Sequence, residues 1–166
     1  MDRDTFTSLV SEARASYYRV AVSILRQEQD AEDAVQNGLL KAYQKRNQLK
    51  DIALFRTWST RIIIHECYRL RKKERKEVPL DEAATVAESP PRDPALYEAI
   101  RALPPKIRIT FVLYYVEGYA VSEVATILRI PQGTVKSRLS RGRALMRSAL
   151  KEDDENEKIS MAKSLS

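Results

Sequence analysis

The stretch "RIPQGTVKSRLSRGRALMR", residues Arg129 to Arg147, decides how the rest of the chain reads. A helix turns about 100° per residue, so positions three and four apart share a side. Val135, Leu139, Gly142 and Met146 then form one stripe, and Lys136, Ser137, Ser140 and Arg141 the opposite one. The first stripe can pack; the second can meet a polar partner. Upstream, "AVSEVATIL" repeats the apolar spacing at Val121, Val124, Ala125 and Leu128, with Ala120 or Ser122 placed to open that helix and Pro131 to open the next. Two short helices joined by "RIP" form a helix-turn-helix whose second helix is the reader. The competing reading is an ordinary helix pair with a solvated basic face. Basic residues mixed with Ser and Thr on one face, behind a tight turn, favour DNA.

Composition agrees with a helical chain. There are 166 residues, only 4 of them Gly, and few β-branched alternations. The 29 Lys+Arg against 23 Asp+Glu leave a net charge of +6, which suits an anionic partner. The single cysteine, Cys67, allows no internal disulfide and fits a reducing compartment. No apolar run is long enough to span a bilayer, and "MDRDTFTSLV" lacks a signal-peptide core, so the expectation is a cytoplasmic chain without membrane insertion.

The sharpest break in composition is "KEVPLDEAATVAESPPRDP", Lys76 to Pro94, with four of the 7 prolines and an acidic middle. It has little to bury and reads as a flexible linker. The expected organisation is all-α: a first small helical domain over 1–75, the linker over 76–93, a helix-turn-helix domain over 94–151, and a disordered polar tail over 152–166. In the first domain, one helix covers about Asp4 to Arg26. Asp30 is placed to cap the next, "DAEDAVQNGLLKAYQKR", whose apolar face is Ala31, Ala34, Val35, Leu39, Ala42 and Tyr43. The loop "NQLKDIAL" leads into "FRTWSTRIIIHECYRLRKKERK". In the second domain, "ALYEAIRAL" stops at Pro104 and Pro105, and "KIRITFVLYYVEGY" ends at Gly118.

Two segments of the first domain carry chemistry. The carboxylates of "DAEDAVQNGLLKAY" have no nucleophile, phosphate loop or second acidic cluster for company, so they read as a solvated face or a protein-docking face. The basic run from Arg69 to Lys76 gains free energy beside phosphates through counterion release. Phe55 and Trp58 beside it can stack on unpaired bases, although plain core packing suits Trp58 equally well. His65 and Cys67 do not make a metal site, since structural zinc usually takes four such ligands and the chain has one of each. No catalytic constellation or cofactor motif is visible.

The order of these pieces resembles the sigma-70 family of bacterial transcription initiation factors, in its small extracytoplasmic-function (ECF) group. "DAEDAVQNGLLKAY" is similar to the family's polymerase-docking helix, "FRTWSTRIIIHECYRLRKK" to the segment that opens and reads the −10 element, and "GYAVSEVATILRIPQGTVKSRLSRGRALMR" to the −35-binding helix-turn-helix. The resemblance spans about Tyr17 to Lys151, apart from the linker. It implies that Asp30, Asp33, Gln36, Asn37 and Leu40 meet the clamp coiled coil of core RNA polymerase, with the polymerase flap as a further contact. It implies a −10 surface of Gln48, Lys50, Asp51, Arg56, Trp58, Arg61, His65, Arg69, Arg71 and Lys72, in which Gln48 to Leu54 form the loop that captures a flipped base. It implies a −35 surface of Thr134, Lys136, Ser137, Arg138, Ser140, Arg141 and Arg143, with Arg138 and Arg143 on phosphates. Asn37 stands where the family commonly has Glu, His65 where it commonly has Asn, and Arg129 where a turn Gly is usual.

The function implied is promoter-specific initiation by a non-enzymatic factor without cofactor, held in check by an anti-sigma factor that is often membrane-bound. Two readings from the residues alone compete with it. A stand-alone dimeric regulator would want a heptad seam, and none is clear. An enzyme acting on nucleic acid would want a metal cluster or catalytic group.

Overall fold

The computed structural model describes residues 1–77 and 93–165, and among them every regular element is helical. Helix α1, Arg3–Ile24, opens on Asp2, whose carboxylate accepts the Thr5 N–H at 2.7 Å. It buries Phe6, Ser16, Tyr17, Val20, Ala21 and Ile24. Helix α2, Glu28–Lys45, begins before the expected cap at Asp30: the extended residue Gln27 opens it without a side-chain cap. Asp30 instead lies in the first turn, where a carboxylate favours the positive end of the helix dipole.

Two short 3₁₀ turns, Arg46–Gln48 and Ile52–Leu54, lead to α3, Phe55–Glu77. Helices α2 and α3 cross closely at Gly38, where a Cβ would stand 2.7 Å from Ile63 Cγ1 and 3.0 Å from Ile63 Cα. Only glycine lets the backbones approach so far. At the far end of this domain Phe6 makes edge contacts with Tyr43 and Phe55, and Trp58 packs on the same cluster.

The second domain starts with α4, Pro94–Ala102. Asp93 caps it through the Leu96 N–H at 3.1 Å, and Pro94 occupies the first turn, where its missing N–H costs nothing. Most of the expected linker, 78–92, lies outside the described residues; Lys76 belongs to α3. Helix α5, Pro105–Phe111, widens into one π turn, Val112–Val116, and stops at Gly118, whose φ of 77° is left-handed.

Helix α6, Val121–Leu128, and α7, Gln132–Ser164, form the helix-turn-helix. Helix α6 opens at Ala120, one of the two expected starts; with no hydroxyl there, the Glu123 carboxylate accepts the Ala120 N–H at 3.0 Å. Arg129 makes the turn in the left-handed region at φ 55°, a conformation that costs a non-glycine residue about 1–2 kcal/mol. The Ile130 N–H closes the turn on the Ala125 carbonyl at 3.1 Å.

The tail expected to be disordered differs from that reading: α7 continues through it to Ser164, exposed along its far end. A second difference concerns the two domains. A loose tether predicts no fixed distance between them, yet one apolar cluster joins Tyr17, Ile64 and Cys67 of the first to Ile109, Leu113, Val124 and Val135 of the second.

Candidate nucleic-acid and protein-binding surfaces

On α2 the buried side is Ala31, Ala34, Val35, Gly38 and Ala42. Gln36, Asn37 and Leu40 face outward, and Asp30 and Asp33 are half-buried beside them. Leu40 is 58% exposed, an apolar side chain that packing within the chain does not explain. The Gln29 amide donates to Asp33 Oδ1 at 3.2 Å, which steadies the carboxylate without covering it.

The 3₁₀ turns and α3 place the next group. Gln48, Lys50 and Asp51 are exposed, as are Ile52 and Leu54 at the tip. The Asp51 carboxylate has a local duty, accepting the Ala53 N–H at 3.0 Å to shape that tip. Trp58 is half-buried, with its ring 6.0 Å from that of Phe55. Arg61 and Arg71 are half-buried; His65 and Lys72 are exposed.

Arg69 and Arg56 of the expected −10 group are bonded within the protein. Arg69 Nε donates to Glu66 at 3.0 Å, and Lys41 pairs with the same carboxylate from α2. Burial pushes the Glu66 carboxyl up, but these bonds outweigh it and hold it below the usual carboxylate range. Arg56 turns to the second domain, where its Nη2 donates to the Glu117 carbonyl at 2.7 Å and its guanidinium lies 4.4 Å from the Tyr119 ring centroid.

On α7 the apolar stripe is buried as the spacing requires, with Val135, Leu139, Gly142 and Met146 all inside. Lys136, Ser137, Ser140, Arg141 and Arg143 are exposed; Thr134 and Arg138 are half-buried. Arg143 Nη1 donates to the Tyr115 hydroxyl at 3.0 Å, which holds it at the flank. These groups do not look out to solvent alone. A cleft of about 1050 Å³ is lined by Tyr68, Arg71 and Lys72 on one side and Ser137, Arg138 and Arg141 on the other. A second, of about 770 Å³, sets Gln48, Trp58, Arg61 and His65 against Arg129 and Arg138.

Sequence reasoning missed the residues that bring these faces together. Ser16 and Arg19 of α1 hold Glu117, and Thr60 of α3 shares a hydrogen bond of 2.8 Å with Tyr119. One signal was available: Glu117 is the only charge between Ile109 and Val121. Arg108 was missed too. It is buried with no partner for Nε, and burial, then the charges of Arg26, Arg71 and Arg101, push its guanidinium below its usual value.

Residues 9–77 match the family model described as Sigma-70 region 2, and residues 94–146 match Sigma-70, region 4. The ECF RNA polymerase sigma factor SigM of Mycobacterium tuberculosis is 31% identical over 148 residues, covering 86% of this chain and 76% of that one. The chain belongs to the sigma-70 family.

Within that family it is an ECF sigma factor, an alternative transcription initiation factor. SigW of Bacillus subtilis is 30% identical over 171 residues, 91% of each chain. The sigma factor RpoE of Bartonella quintana, solved in complex with the anti-sigma factor NepR, superposes with a TM-score of 0.76 at 25% identity, over 88% of this chain and 96% of that one. CnrH, solved with the cytosolic domain of CnrY, has the same fold at a TM-score of 0.69, over 92% of this chain and 91% of that one. The region 2 match runs from within α1 to the end of α3, and the region 4 match from α4 to the first half of α7. No described helix of this sigma factor is long and apolar enough to cross a membrane. No cluster of potential metal ligands occurs among the described residues.

Proposed function

We propose that this sigma factor docks on the clamp coiled coil of core RNA polymerase through Asp30, Asp33, Gln36, Asn37 and Leu40, with its second domain near the flap. It then selects promoters by reading two DNA elements in the cytoplasm. Lys136, Ser137, Ser140 and Arg141 enter the −35 major groove, while Thr134, Arg138 and Arg143 meet its phosphates. Gln48, Lys50, Asp51, Trp58, Arg61 and His65 hold the melted −10 strand, and Arg56, Arg69, Arg71 and Lys72 track its backbone. The phosphodiester chemistry belongs to the polymerase.

The observation that carries this reading is the two-sided α7: an exposed basic and hydroxyl stripe opposite a buried apolar one, on the second helix of a helix-turn-helix. Two small domains gain promoter affinity only when a large partner fixes both, because the second contact then forms at high effective concentration. An anti-sigma factor anchored at the membrane would cover these surfaces until a signal releases it. RpoE, solved in complex with the anti-sigma factor NepR, supports control by an anti-sigma factor.

Run-off transcription with purified core polymerase tests the proposal. Adding the protein should create start sites absent from core alone. A panel of promoter templates that yields no new transcript in its presence would end the reading.

A further inference from the structure

Arg143 is exposed on α7, yet its guanidinium is held from another element. Its Nη1 donates to the Tyr115 hydroxyl at 3.0 Å, across 28 residues of sequence. Tyr115 belongs to the π turn Val112–Val116, and such turns recur at functional sites. Its ring is fixed. The centroid lies 4.5 Å from that of Phe111 and 4.8 Å from that of Tyr114, which it meets edge-on. Phe111 in turn is buried with Ile107 and Met146. The α7 backbone sits tightly on this support at Gly142, where a Cβ would stand 3.0 Å from Phe111 Cδ2 and 3.1 Å from Ile107 Cγ2. Gly142 is the residue before Arg143, so both ends of the Tyr115–Arg143 bond are anchored in the same packed layer. The outer side of the pair stays open. Tyr115 is 45% exposed, and neither residue lines the two clefts described above.

We infer that Tyr115 is a positioning residue for promoter binding: its hydroxyl holds the Arg143 guanidinium ready for a DNA phosphate. The inference deepens the −35 surface proposed above and rests on it. An arginine carries five N–H donors, so one bond to Tyr115 leaves the others for a phosphate oxygen pair. A free arginine gives up rotamer freedom when a phosphate immobilises it, and one already held gives up less. Phosphate contacts set register and orientation without reading sequence. A fixed Arg143 therefore sets the angle at which Lys136 and Arg141 meet the bases, while Tyr115 itself reads none. No pattern on α7 points to this residue, because it comes from the far side of the turn that precedes α6.

The test uses the full chain, alone and loaded on core polymerase, as wild type, Tyr115→Phe, Arg143→Ala and the double variant. Tyr115→Phe keeps the ring on Phe111 and removes only the hydroxyl. In the chain alone, nuclear magnetic relaxation of the Arg143 Nε–H should report an ordered group in the wild type and a mobile one in Tyr115→Phe, at unchanged circular dichroism and melting temperature. On polymerase, affinity for a promoter duplex taken from the run-off panel should fall about fivefold in Tyr115→Phe, alike for every −35 base variant. In the Arg143→Ala background the same change should cost less than about twofold, because the hydroxyl acts through Arg143. A wild-type Arg143 that is already mobile overturns the inference, as does one that stays ordered in Tyr115→Phe. An unchanged affinity overturns it too. An equal loss with and without Arg143 would make the hydroxyl an independent contact and end its positioning role. A run-off panel with no transcript would remove the −35 surface, and the phosphate with it, while leaving the relaxation result as it stands.

Discussion

Gly38 of α2 rests against Ile63 of α3 so closely that a Cβ at position 38 would stand 2.7 Å from Ile63 Cγ1. Ile63 is fully buried. Alanine at position 38 gains about 1 kcal/mol of helix propensity, but overpacking a filled core costs about 1–3 kcal/mol. Gly38→Ala should therefore lower the melting temperature by a few degrees. Gly133→Ala, where a Cβ meets nothing, should not lower it. Thermal melts by circular dichroism compare the two; a stabilised Gly38→Ala would show that the crossing is looser than its geometry.

Acid should weaken the α2–α3 packing through Glu66. Its carboxyl is held below the ordinary range by Lys41 and Arg69, against the push of burial. A group with a lowered folded-state pKa contributes its stability above the unfolded value, about 4.3 for Glu, and loses it as pH falls through the folded value. Charged hydrogen bonds are worth about 1.5–3 kcal/mol. Urea titrations of wild type and Glu66→Gln should differ by about 2 kcal/mol at neutral pH and converge as pH falls below the ordinary carboxylate range. A difference that stays constant with pH would assign the effect to packing instead.

Cys67 should be chemically silent in the native protein. It is fully buried, and burial pushes its thiol up to about 12, with the Glu66 charge adding to the shift. The thiolate is the reactive form. A thiol-reactive chromophore should label the native chain only as fast as it unfolds, and at once in denaturant. Rapid stoichiometric labelling under native conditions would mean that this part of the core opens readily.

The reading helix predicts a division of labour. Arg141 is exposed in the polar stripe, free to hold a guanine through two hydrogen bonds that discriminate by about 1–3 kcal/mol. Arg143 is tied to Tyr115 at the flank and should see only phosphates, which carry no sequence. In transcription over single-base −35 variants, Arg141→Ala should flatten preference at one position by about tenfold. Arg143→Ala should weaken all templates alike and reduce the salt slope by about one unit. A uniform loss from Arg141→Ala would put the wrong face in the groove.

The α7 stripe was legible because Val135, Leu139, Gly142 and Met146 repeat at helical spacing, and local periodicity needs no knowledge of the rest of the chain. The start of α2 was not, because Gln27 opens it with backbone geometry alone, whereas Asp30 looks like a cap. The far half of α7 was misread because its polar, acidic composition resembles a tail, yet the residues after Lys151 include no Gly or Pro to stop a helix already running. Docking of the domains was illegible for a different reason. Ser16 and Glu117 are 101 residues apart, and nothing in the pattern around either names the other. The surfaces proposed for polymerase and DNA came from motif order, and burial adds to them which members already have protein partners.

Helix α7 carries one more implication. It runs unbroken for 33 residues, about 50 Å at 1.5 Å per residue, from the turn before the reading stripe to Ser164. Its far end exposes Ile159 and Met161. A stiff rod converts a small displacement at one end into a rotation at the other. Anything that grips the distal turns holds a lever arm on the angle at which Lys136 and Arg141 meet the groove, at a distance where it touches neither.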